Sequence, residues 1–201
     1  MANPRPLTRL LKMRQQLYAM GDPTPEFLEY TRDFGLDHKA IQAHAGIFAV
    51  VLASAGRDNN GLPIFNFDTE GVPTAVIEAI LFDENREPFV CDIVSWTLAD
   101  PESVATALGA NEGAAVLGAF NMPQRGRTRL WVHPTPLAWL QAKCEGCVPL
   151  KEEGARYWLN RAGGPFAVGG LEEGRWLRDL LGPHSADHSI FVAVKRREWA
   201  A

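Results

Sequence analysis

Apolar positions recur at helical spacing through the first 44 residues and then switch to alternation and short unbroken runs. Over residues 6–20, Leu7, Leu10, Leu11 and Leu17 share a stripe while Arg9, Lys12 and Arg14 lie off it, which predicts a basic amphipathic helix. GDPTP breaks that helix. Thr24 caps a second one with Pro25 at its first position, and Gly35 ends it. Asp37 caps a third, HKAIQAHA. The pattern predicts a small helical unit over 1–44 and a separate mixed domain over 45–201.

The run at 46–54 predicts a buried strand, GRDNNG a turn, and 62–68 a strand with period two. Residues 74–82 and 88–96 flank DENRE and predict an antiparallel hairpin. Asp100-Pro101 reads as the cap of a short helix ending at Gly109, with Val104 and Leu108 on one face. Residues 114–120 read as a strand or a buried turn, and NMPQRGR as a loop. From Arg129 onward strand and helix alternate. RLWVH precedes a helix capped by Thr135, with Leu137, Leu140 and Cys144 inward. CVPL precedes a helix over 152–162, the strand FAV lies between glycine pairs, LEEGRWLRDLL forms a helix, and a strand runs over 189–197. The fold class is α/β or α+β, a mixed sheet with flanking helices behind the N-terminal helices.

Composition narrows the function classes. The 201 residues are 46% hydrophobic and 22% charged, enough for a core without covalent staples. A net charge of −4 disfavours a general basic nucleic-acid surface. Three cysteines, an odd number, argue against a disulfide scaffold and for a cytoplasmic, reducing compartment. No signal peptide is evident, and the longest apolar run is too short to span a bilayer, so no membrane role is expected.

Four constellations carry candidate chemistry. Thr31, Gly35, Leu36 and Ile41 fit the spacing of a helix-turn-helix, although His44 departs at its last position; His38, Lys39 and Gln42 would then contact DNA. A hairpin symmetric about DENRE sets Glu78 opposite Asp92, an acidic pair that calls for a metal, a shared proton or a basic partner. Cys144 and Cys147 with His184 and His188 have the pair spacings of zinc ligands, so the metal candidates are zinc or another divalent ion; the packing alternative is that the cysteines are core residues. Trp131, His133 and Trp139 sit where a strand hands over to a helix, the usual ligand crevice of an α/β sheet.

The serine-elbow, dinucleotide and P-loop patterns are absent. No catalytic motif outweighs its packing explanation, and no cofactor is required. The expectation is a non-enzymatic binding or interaction protein with a protein partner. A DNA-binding regulator acting through the N-terminal helices and a metal-dependent enzyme are the alternatives.

Overall fold

A computed structural model describes residues 6–20, 23–58, 61, 63–109, 114–121 and 129–193, apart from the side chains of Pro6, His44, Ala45 and His184. The protein is a mixed α/β structure. Three helices, α1 (Pro6–Ala19), α2 (Pro25–Asp33) and α3 (His38–Ala45), precede five antiparallel strands. These are β1 (Phe48–Arg57), β2 (Pro63–Phe67), β3 (Val72–Phe82), β4 (Pro88–Thr97) and β5 (Asp100–Thr106), in the order β2-β1-β3-β4-β5.

The alternating side chains of this sheet are apolar on both faces, so both must be covered. Leu10, Met13 and Leu17 of α1 pack with Val51, Ala53, Phe65, Val76 and Ile93 on one face. Phe27, Tyr30 and Ile41 of α2 and α3 pack with Phe48, Val50, Ala75, Ile77 and Trp96 on the other. The N-terminal helices therefore share the core of the sheet. Inside it the Trp96 indole N–H donates to the Tyr30 hydroxyl at 2.9 Å. Leu7 and Leu11, expected on the buried stripe of α1, are exposed, and Met13 takes their place.

The second half alternates as expected. β6 (Val116–Leu117) pairs with β8 (Val148–Pro149), and β7 (Leu130–Trp131), β9 (Phe166–Val168) and β10 (Ile190–Val192) form a parallel sheet in the order β10-β9-β7. α4 (Pro136–Gln141) joins the core of the large sheet through Leu137, Trp139 and Leu140. α5 (Glu152–Ala162) and α6 (Leu171–Leu181) bury Ala155, Leu159, Leu177 and Leu181 against Phe166 and Val168. A parallel bridge between Val132 and Cys147 links the layers.

Two local expectations change. Residues 100–106 form a strand where a helix was expected. The Asp100 carboxylate does accept the N–H groups of Glu102 and Ser103, at 3.2 and 3.3 Å, but the chain then pairs with β4. Pro101 is tolerated because β5 is an edge strand. α4 ends before Cys144: Lys143 and Cys144 are both left-handed, at φ 56° and 62°. The last strand is seen as Ile190–Val192, and the rest of the expected 189–197 run from residue 194 lies outside the described residues, as do 122–128 of the expected loop. Among the described residues no helix is long and apolar enough to cross a membrane.

Candidate functional site

The candidate site lies at a break in the pairing of β1. Residues 53–57 of this strand pair with β2, and residues 48–53 pair with β3. On the β2 side the ladder ends where the Asp68 N–H donates to the Leu52 carbonyl at 3.1 Å. The chain then turns, with the Asp68 carboxylate accepting the Glu70 N–H at 3.0 Å. Gly71 lies against the backbone of Ala53, and a Cβ there would clash with the Ala53 carbonyl oxygen. That close approach lets the chain leave β1 so abruptly.

On the β3 side the Glu78 N–H donates to the Ile47 carbonyl at 3.0 Å. Backbone groups alternate in direction along an antiparallel strand, so those of Phe48 and Val50 point away from β3, as those of Leu52 do. Among the described residues no backbone group pairs with Phe48 or Val50 on that side.

A cavity of about 690 Å³ lies along this unpaired half-edge. Leu17 and Met20 wall it from the end of α1, Phe27 and Ile41 from α2 and α3, and Phe48 and Val50 form its floor. Its volume and its apolar lining with few polar groups are those of a ligand pocket. The helices are placed by their caps: the Thr24 hydroxyl accepts the Phe27 N–H at 3.2 Å, and the Asp37 carboxylate accepts the N–H groups of Lys39 and Ala40, both at 3.1 Å. Asp68 is the one formally charged residue among the described residues that line the cavity.

The DNA candidates lie at or near this cavity. Gly35 is left-handed at φ 62°, and the Leu36 N–H donates to the Thr31 carbonyl at 2.8 Å, so the expected glycine-ended helical hairpin forms. His38, Lys39 and Gln42 are all exposed. His38 and Gln42 line the cavity, and the His38 ring meets Phe27 edge-on at 5.6 Å. Lys39 is not part of the lining.

The expected facing of Glu78 and Asp92 does not form. The hairpin begins in the expected register, Phe82 opposite Pro88, but a bulge follows between Ala79 and Ile80. Cys91 is the extra residue, with its thiol donating to the Ala79 carbonyl at 3.3 Å. Ala79 then opposes Asp92, and Glu78 opposes Ile93, which puts the two carboxylates on opposite faces.

Each carboxylate is held separately. Glu78 accepts from Arg14 Nε at 2.7 Å and from the Ile47 N–H at 3.2 Å. Asp92 accepts the N–H groups of Ile93, Leu108 and Ala114 at 2.8, 3.1 and 2.9 Å. Burial raises the Asp92 pKa to about 6, opposed by those N–H groups and by the Lys151 ammonium. Burial lowers the Lys151 pKa, and its ammonium donates to the Gly109 carbonyl.

The cysteine and histidine candidates are spread across the molecule. Cys144 is buried in the core of the large sheet, and Cys147 in that of the smaller one. Burial pushes both thiols up to about 12. His188 Nε2 lies 2.9 Å from Asn160 Oδ1, and its ring meets Phe166 edge-on. The His184 side chain lies outside the described residues. Among the described residues no group of three or more His, Cys, Asp and Glu side chains is placed to hold a metal ion.

The crevice candidates divide. Trp131 and His133 have nearly parallel rings with centroids 6.3 Å apart, and His133 Nε2 lies 3.0 Å from the Glu145 carbonyl. Burial lowers the His133 pKa. Trp139 is fully buried, with its indole N–H donating to the Gly146 carbonyl at 3.0 Å, so it packs the core and lines no open crevice. That carbonyl also accepts from Asn121 Nδ2 at 2.8 Å.

Sequence reasoning missed the cavity. The sequence carries no clear signal for it, because β2 pairs with residues 53–57, largely beyond the apolar run at 46–54.

The chain matches no family model, no curated protein and no solved structure.

Proposed function

We propose that this is a non-enzymatic binding protein that takes an apolar ligand into the cavity along the first half of β1. The observation that carries this reading is the cavity itself: about 690 Å³, apolar on both walls, beside backbone groups that find no partner among the described residues. The ionisable groups of the other candidate sites support it from the other side. Glu78 is neutralised by Arg14, Asp92 is saturated by backbone N–H groups, and the thiols of Cys144 and Cys147 are buried and protonated.

The test uses the apolar fluorophore N-phenyl-1-naphthylamine. It is expected to bind the full chain with one-to-one stoichiometry. Met20→Trp and Gln42→Trp place bulk at exposed positions of the rim and are expected to weaken binding at least tenfold while leaving the fold intact. Absence of binding to the unmodified chain, or equal binding by both variants, overturns the reading.

A further inference from the structure

The half-edge of β1 specifies the class of ligand. Resting on the binding reading above, we propose that the cavity takes an extended peptide, which adds as a strand to β1 beside Phe48–Leu52. Three observations lead there.

The first is the pattern of vacant hydrogen-bonding groups. Phe48 and Val50 each turn an N–H and a C=O to the same side, and among the described residues neither finds a partner there. Val50 and Phe48 are 3% and 8% exposed, and both border the cavity. Buried backbone groups are almost always paired. Alternating donors and acceptors along an edge are matched by another extended backbone. A purely hydrocarbon ligand would leave all of them unmet.

The second is continuity with the existing ladder. β2 already runs antiparallel to β1 and delivers its last bond from Asp68 to Leu52. A peptide following the same line would take up the pairing at Val50 and continue to Phe48. Five residues of strand span about 17 Å. Successive side chains would alternate between the Leu17–Met20 wall and the Phe27–Ile41 wall, so apolar residues are favoured at both sets of positions.

The third is charge. The described lining residues include no Lys or Arg and one carboxylate, Asp68, where β2 leaves. In the antiparallel direction the N-terminal end of the peptide lies at that end. The ligand is therefore an apolar segment with a basic residue or a free amino group at its N-terminal end.

The experiment pans a phage-displayed library of random seven-residue peptides on the full chain. It then measures the enriched peptide by fluorescence anisotropy in three forms: unmodified, and N-methylated on either alternate set of amides. Enriched peptides are expected to displace N-phenyl-1-naphthylamine. One methylation pattern is expected to weaken binding at least fiftyfold and the other less than threefold, because only one set of amides faces β1. The Val50 amide is expected to exchange with deuterium at least tenfold more slowly in the complex. Asp68→Asn, which keeps the acceptor for Glu70, is expected to weaken binding of peptides with a basic N-terminal residue threefold to tenfold.

Equal binding of both methylated forms overturns strand addition. Failure to enrich any competing peptide, while the fluorophore still binds, overturns the peptide class and leaves the cavity reading standing. Loss of fluorophore binding as well overturns both.

Discussion

Glu78 and Asp92 lie on neighbouring strands, one pair apart in the ladder, and are buried on opposite faces of the same sheet. The extra residue Cys91 separates them. Glu78 is answered by a cation from α1, Asp92 by the N–H groups of the chain that follows β5. The two carboxylates therefore have different effects on stability.

Asp92 makes stability depend on pH. Its pKa is 3.8 ordinarily and about 6 in the folded state. A raised carboxyl pKa means that the folded protein holds the proton where the unfolded chain has lost it. Stability from this group is therefore fully present below pH ~4 and falls as pH rises toward and through 6, by about 3 kcal/mol in all. Urea denaturation of the wild type and Asp92→Asn between pH 4 and 7 is expected to show this fall in the wild type and a flatter profile in the variant. Parallel profiles would contradict it.

Arg14 is expected to matter through the charge that it covers. Its own side chain is 29% exposed, but Glu78 is 3% exposed. Arg14→Ala leaves that carboxylate with the Ile47 N–H alone, at a cost on the order of 3 kcal/mol. Adding Glu78→Gln removes the buried charge and is expected to restore at least half of the loss. Thermal or urea melts of the single and double variants measure this directly. An unchanged single variant would show that the pair is irrelevant to stability.

The three thiols are expected to be inert in the folded protein. Burial pushes Cys91, Cys144 and Cys147 each up to about 12, so little thiolate exists at pH 8. A chromogenic disulfide reagent should release almost no signal from the native chain and three equivalents after unfolding in guanidinium. A rapid native reaction at one cysteine would show that its thiol is accessible and ionised.

Lys143 offers a stabilising change. It is exposed and left-handed at φ 56°, where a side chain crowds its own backbone. Its ion pair with Asp37 is 3.9 Å long and exposed, which contributes little. Lys143→Gly is expected to gain about 0.5–1 kcal/mol in a urea titration. A loss would mean that the added freedom of the unfolded chain outweighs the relief.

Much of the fold was legible because its signals are local. Thr24, Asp37 and Thr135 accept N–H groups at the helix starts where their residue types indicated. The helices at 152–162 and 171–181 form over the spans that their apolar spacing and flanking glycines marked. The tip of the hairpin pairs in the expected register. The strand at 100–106 was not legible, because Asp100 makes the same short contacts at the start of a helix as in a turn, and pairing with β4 decides between them.

The candidate site was hardly legible at all. His38 and Gln42 were named for DNA contact and line the cavity, but its floor at Phe48 and Val50 read only as a buried strand. Metal candidates were chosen by spacing along the chain, which does not say that Cys144 and Cys147 enter different cores.

By itself the sequence determined the class of fold, the helices with their caps and most of the strands, since these depend on the periodicity of apolar residues and on contacts within a few positions. Only the tertiary structure decided the bulge at Cys91, the fate of the two carboxylates and the half of β1 that β2 leaves uncovered. Each depends on which backbone groups of distant segments meet, and a shift of one residue, or a strand that stops short, changes that outcome without altering the local pattern.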